Sequence, residues 1–310
     1  MSTPGRLLVV NADDFGLTAG VNAGIIGAFQ RGIVRSASLM VTTPGFEDAV
    51  ALAGEHPTLD LGLHLALTNV HPALAPERIP SLVGGDGRFP SLKVWQRRVA
   101  LRQLRPEEVR VELLAQVARA RRTGLRFTHI DGHHHVHLFG PVPAIIGEIA
   151  RTHKIPIVRR VKDAPCETKN DQPPGPPAPR SASEAIKRGW LEGADQLWER
   201  GLRGLQRTDA FRGTAFPASL GDWRALARSL PVGVTEMMCH PGLRDATVRA
   251  LDPYVDERER ELRWLCDPRV AALLDADGVT LTSFGQLLGL AGTEATISSG
   301  NYPQPTISAR

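Results

Sequence analysis

The chain has 310 residues, 42% hydrophobic and 23% charged, an ordinary globular composition able to bury a sizeable core. Its net charge of +4 is carried by scattered arginines, and with 5% aromatic residues and no basic run among them it does not read as a nucleic-acid binder. Three widely spaced cysteines exclude a disulfide framework, and there is neither a signal-peptide pattern nor an apolar run of about 18 residues, so a cytoplasmic chain without a transmembrane segment is expected.

In chain order, "RLLVVNADD" is an apolar run ending in carboxylates, which predicts a buried parallel strand. "TAGVNAGIIGAFQRG" has helical periodicity and a closing glycine. "SASLMVTT" predicts a strand, "FEDAVALAGEH" a helix and "LDLGLHLALT" a third strand. Residues 69–105 read as a long loop, and residues 106–123 as a helix opened by Pro106. "RFTHIDGH" predicts strand four, "PVPAIIGEIARTHK" a helix and "PIVRRV" strand five. A Pro-rich exposed loop follows at 163–180, then a helix over 182–205. "DAFRGT", "VGVTEMMCH" and "VTLTSF" predict strands six to eight, with a short helix near Trp223.

This alternation predicts an α/β fold, an irregular (β/α) barrel related to the TIM barrel, with seven or eight mainly parallel strands. An open doubly wound sheet is the alternative, but its first turn lacks G-x-G-x-x-G. One domain is expected over residues 1–290, with a disordered or loosely attached tail at 291–310.

The unusual polar residues fall at the C-terminal ends of predicted strands, where such folds build their sites. Asp13 and Asp14 end strand one, and His64 lies late in strand three. Asp131 and His133 end strand four, Arg159 and Arg160 strand five, and Glu236 and His240 strand seven. In "NADDFG" the carboxylates either cap the next helix or share one site. Neighbours on a strand diverge, so sharing requires a bend, which Gly16 would permit. One acid would then bind a metal while the other acts as a base. His64 alone in an apolar strand is either a core residue or a ligand.

Five histidines stand in "FTHIDGHHHVHLF". Strand period puts His129, Asp131 and His133 on one face and His134 on the other, while His135 and His137 depend on the turn that follows. His133 is the best-placed ligand. His240, opposite such a metal, is a candidate general acid. Its neighbour Cys239 is not a nucleophile, since adjacent strand residues diverge and nothing activates the thiol.

"NADDFGLTAGVNAGIIGAFQRGIV", "GLHLALT", "THIDGHHHVH" and "MCHPG", in this order from residue 7 to about 245, resemble the YdjC-like carbohydrate deacetylase family. That family includes chitooligosaccharide deacetylases and deacetylases of N-acetylglucosaminyl hopanoids. The resemblance implies a divalent-metal hydrolase that removes acetyl from an N-acetylglucosamine-type sugar or glycolipid. It places the metal on Asp14, His64 and His133, with Asp13 as base and His240 in the late "HP" motif. Asp131, His135, His137, Arg159 and Glu236 are then substrate-binding or supporting residues. Zinc suits an Asp/His/His set, and magnesium is the alternative. A homodimer is the expected assembly. "HVHLF" and "MCHPG" are similar to the chitooligosaccharide branch and "APERIPSLVGGDGRF" to the hopanoid branch, so the acceptor stays open. Arg159 and Arg160 would bind a substrate phosphate or carboxylate, or pair with surface acids. Rival readings are another barrel hydrolase, an amidohydrolase or phosphoesterase, and a non-catalytic sugar-binding protein.

Overall fold

The computed structural model describes residues 5–161, 201–213 and 216–289. The expected Pro-rich loop, the tail at 291–310, Cys166 and most of the helix at 182–205 lie outside them. Eight parallel strands occur among the described residues: β1 (Arg6–Phe15), β2 (Ser36–Leu39), β3 (Asp60–Leu65), β4 (His129–Gly132), β5 (Ile157–Val158), β6 (Ala210–Arg212), β7 (Gly233–Cys239) and β8 (Val279–Thr282). Seven of them follow the order β5-β4-β3-β2-β1-β7-β6, and β8 pairs with β1. The two ends of this curled sheet approach one another through a parallel bridge between Ile157 and Gln206. The expected irregular barrel is therefore the observed one.

Its irregularity has a specific origin. The first strand is ten residues long, and one of its edges serves two partners. β8 pairs with Arg6–Val9, while β2 pairs with the upper part at Asn11, Ala12 and Phe15. The other edge of β1 pairs with β7 from Arg6↔Gly233 to Ala12↔Cys239.

Side-chain alternation along β1 separates two environments. Leu8, Val10 and Ala12 belong to the main core, whereas Val9 packs with Ile157 and Phe284 in a small separate cluster. Asn11 and Asp13 share the face of Val9. The barrel lumen thus starts apolar at its base and turns polar towards the strand C-termini. Gly62 allows this filling, because a Cβ there would lie 2.2 Å from the inward-pointing His129 ring.

The surrounding helices include α1 (Ala19–Arg31), α2 (Phe46–Glu55), α3 (Leu92–Ala100), α4 (Pro106–Arg121) and α5 (Val142–His153). After β6 come α6 (Leu220–Ser229), α7 (Ala246–Leu251), α8 (Asp256–Leu265), α9 (Pro268–Ala276) and the one-turn α10 (Phe284–Leu287). The region expected as one loop at 69–105 contains α3, which Trp95 anchors at zero exposure. Its other side is polar, so only one buried aromatic betrays it. The helices between residues 246 and 276 are likewise additions to the sequence reading. None of the helices among the described residues is long and apolar enough to cross a membrane.

Candidate active site

Asp13 and Asp14 do share one site, through a bend at Asp14 itself. Its φ is +66°, and the β1–β2 register shifts between Ala12 and Phe15. Gly16 at φ +98° continues the turn, but the break falls two residues earlier than the glycine suggested. A left-handed conformation costs a non-glycine residue about 1–2 kcal/mol, and Asp tolerates it better than most.

The bend aims Asp14 at two imidazoles. Its Oδ1 lies 2.9 Å from His133 Nδ1 and 3.3 Å from His64 Nε2. One donor atom from each of Asp14, His64 and His133 falls within 4.8 Å of the others, and all three residues are buried. His64 donates its Nδ1–H to Asp131 Oδ1 at 2.7 Å, which leaves Nε2 facing the cluster. A carboxylate behind a ligating imidazole fixes its tautomer and orientation. Burial disfavours charge on His64, but the Asp131 and Asp13 carboxylates outweigh it and push the imidazole up to about 10. Burial also opposes charge on Asp14, yet Arg258 and His133 hold its carboxyl well below the usual range. Two nitrogens and one oxygen form a donor set that suits a divalent cation with positions left open. Asp13, His64 and Asp131 form a second such trio, but a guanidinium already spans its two carboxylates.

That guanidinium is Arg159, which has no exposed side chain. Its Nη1 and Nη2 donate to the two oxygens of Asp13, both at 2.6 Å. Nη2 also lies 2.8 Å from Asp131, and Nε donates to Glu236 at 2.7 Å. A substrate phosphate or carboxylate therefore does not find Arg159 free. It pairs with acids, as the sequence allowed, but inside the lumen rather than at the surface. Burial pushes Glu236 up to about 7, against the pull of Arg159.

The histidine window divides cleanly. His129 is buried in the lumen near Asn11 Oδ1 (3.1 Å) and Ser38 Oγ (3.3 Å), and burial pushes it down to about 3. After β4 the chain coils tightly over residues 133–138, with His134 and His135 at φ +55° and +57°. His133 reaches Asp14. His134 leaves that face and its Nδ1 lies 2.9 Å from Thr68 Oγ1. His135 packs edge-on against Phe211, with ring centroids 5.9 Å apart. His137 is fully buried, neither ring nitrogen has a hydrogen-bond partner, and burial pushes it down to about 3. It is a neutral ring beneath the turn.

His240 follows β7, one step beyond the Ala12↔Cys239 pair, and so stands level with Asp13. Its backbone N–H donates to Glu261 Oε2 at 2.5 Å. Tyr254 donates to the other oxygen of Glu261 at 2.6 Å and sets its ring edge-on to His240, 5.6 Å between centroids. Cys239 is buried, and burial with Glu261 nearby pushes its thiol well up, which agrees with excluding it as a nucleophile.

Four supporting residues escaped the sequence reading: Asn11, Ser38, Arg258 and Glu261. Asn11 bridges Asp13 Oδ1 (2.9 Å) and Ser38 Oγ (2.8 Å), and Ser38 donates to Asp131 at 2.7 Å. Period two from Asp13 points to Asn11. On α8, Arg258 and Glu261 are buried together with Leu262 and Leu265. Those four positions form an i, i+3, i+4, i+7 stripe, so two charges sit on an apolar helix face. The surrounding "DERERELRW" hides the pattern, because most of its charges are solvated.

A family model described as YdjC-like protein matches residues 7–276. A carbohydrate deacetylase of Geobacillus stearothermophilus is 35% identical over 292 residues, covering 92% of this chain and 99% of that protein. One from Brevibacillus brevis is 32% identical over 283 residues, covering 90% and 99%. A solved structure from Enterococcus faecalis V583, of a proposed cellobiose-phosphate cleavage protein, superposes with TM-score 0.74 at 27% identity and covers 91% of this chain and 99% of that one.

Proposed function

The chain belongs to the YdjC-like protein family, and from that membership we propose that it is a metal-dependent carbohydrate deacetylase acting on an N-acetylglucosamine-type amino sugar. The observation that carries this reading is the convergence of Asp14, His64 and His133 at the strand C-termini, with Asp13 beside them. The curated relatives named carbohydrate deacetylase support the reaction class.

Amide hydrolysis needs a better electrophile and a better nucleophile than a free acetamide and water provide. A divalent cation held by Asp14, His64 and His133 would supply Lewis-acid polarisation of the acyl oxygen and would lower the pKa of water towards neutrality. Asp13 takes the proton of the attacking water. Oδ1 accepts from both Asn11 and Arg159, whereas Oδ2 accepts from Arg159 and keeps a second lone pair for that proton. Arg159 is itself braced by Asp131 and Glu236, so the Asp13 carboxylate is held in one plane. His240 delivers a proton to the nitrogen as the C–N bond breaks, giving acetate and a free amine. Burial of these groups strengthens every charge interaction among them.

The deciding experiment measures acetate release from N-acetylglucosamine oligomers and from an N-acetylglucosaminyl glycolipid, alongside cation analysis of the purified protein. Release from one arm identifies the acceptor. No release from either, with cation bound, overturns the proposal.

A further inference from the structure

We propose that Arg258 is a positioning residue for Asp14, fixing the rotation of its carboxylate so that one oxygen faces the cation; the inference rests on the cation site proposed above. Arg258 lies on α8 and is 1% exposed. Its Nη2 donates to Asp14 Oδ2 at 2.6 Å and to Asp252 Oδ2 at 2.5 Å. Its Nε and Nη1 have no hydrogen-bond partner.

Such an arrangement is poor as a stabilising device. A buried guanidinium with unused N–H groups carries a large desolvation cost. An apolar side chain of similar volume is often neutral or better at such a position. The cost makes sense if the one well-used nitrogen matters. Asp14 divides its carboxylate: Oδ2 goes to Arg258, and Oδ1 faces His133 at 2.9 Å and His64 at 3.3 Å. The terminal torsion of Asp is broad, so the backbone alone does not set how the carboxylate is rotated. Arg258 sets that rotation and leaves one oxygen for the cation.

Arg258 is also held in place from behind. Gly242 of "CHPG" donates its N–H to the Arg258 carbonyl at 3.3 Å, and a Cβ on Gly242 would lie 3.2 Å from Arg258 Cδ. The Tyr254 ring lies 6.0 Å from the guanidinium carbon. Asp252 balances the charge that Asp14 alone would face.

The test is Co²⁺ titration of the full chain, following the visible spectrum of the bound ion. In Arg258→Met the dissociation constant is expected to rise about 10–100-fold and the spectrum to change, since losing a group that orients a ligand costs about that much. Arg258→Lys keeps a donor and is expected to recover part of the affinity. Circular dichroism checks folding, and Arg258→Gln replaces the Met variant if that one does not fold. Wild-type affinity with a wild-type spectrum in the folded Met or Gln variant overturns the inference. Acetate release is read separately. A wild-type chain that binds Co²⁺ but releases no acetate overturns the deacetylase reading and leaves the Arg258 result standing. A wild-type chain that binds no Co²⁺ overturns both.

Discussion

His64 and Asp131 stand opposite each other in the β3–β4 register, and the His64 imidazole donates to the Asp131 carboxylate at 2.7 Å. This pair fixes where the His64 proton sits. One nitrogen is committed to Asp131, and the other carries whatever a cation must displace.

Cation binding should therefore depend on pH. With His64 pushed up to about 10 in the cation-free chain, its Nε2 is protonated at neutral pH. Raising pH removes the competing proton, so affinity should rise by about tenfold per pH unit until pH nears that value. Calorimetry in buffers of different ionisation heat should show about one proton released per cation at pH 7. Release of none would contradict the assignment of His64 as a ligand.

Asp131→Asn should weaken cation binding by about 10–100-fold, as expected when a carboxylate behind a ligating histidine is lost. It should also weaken the proton competition at His64, making affinity less steep in pH. Equilibrium dialysis at two pH values measures both.

Asp13→Asn should lower kcat by at least about 10²-fold while cation binding persists. It also breaks the paired contact with Arg159, and cutting one partner from a buried ion pair costs about 3–5 kcal/mol. Assays should run well below the variant's melting temperature. Deacetylation at the wild-type rate by this variant would remove Asp13 from the base role.

Glu261→Leu tests His240. Leucine removes the acceptors of both the His240 N–H and the Tyr254 O–H. A displaced acid costs about 10²-fold in kcat, with cation affinity unchanged. Loss of cation affinity in step with kcat would mean that the helix, not His240, had moved.

Asp60, at the base of β3, gives a stability test away from the site. Burial pushes its carboxyl up to about 6, although the Gly285 N–H and Ser36 Oγ donate to it. An acid raised on folding contributes stability below its unfolded value near 3.8, and that contribution is lost as pH rises through about 6. Asp60→Asn should thus be the more stable chain at pH 8, by up to about 3 kcal/mol, with the gain vanishing towards pH 4. Thermal melts at the two pH values decide it.

Periodicity carried much of this in the sequence. The strand-end placement of Asp14, His64 and His133 was legible because each stands late in, or at the end of, a segment that reads as a strand. The bend was legible as a need, since two adjacent strand residues cannot otherwise share a site, but its location at Asp14 was not. No local rule marks a left-handed Asp when a glycine stands nearby. The fate of His135 and His137 was hidden for the same reason, because a tight turn replaces the strand period at His133. Arg258 lies 244 residues from Asp14, and Glu261 21 residues from His240, amid many solvated charges. Tertiary packing alone reveals them.

The double partnership of the first strand has a consequence in time. β1 delivers Asp13 and Asp14, yet its lower half is closed on one side by β7 and on the other by β8, the two last strands of the sheet. As the chain emerges from a ribosome, β1 to β5 can associate in sequence, but the base of β1 has no strand partner until β7 is made and keeps one open edge until residue 282 has been made. Contacts of such sequence separation form late and slowly. The carboxylates at the tip of the first strand are thus synthesised first and fixed last, with a growing sheet edge to protect in the interval.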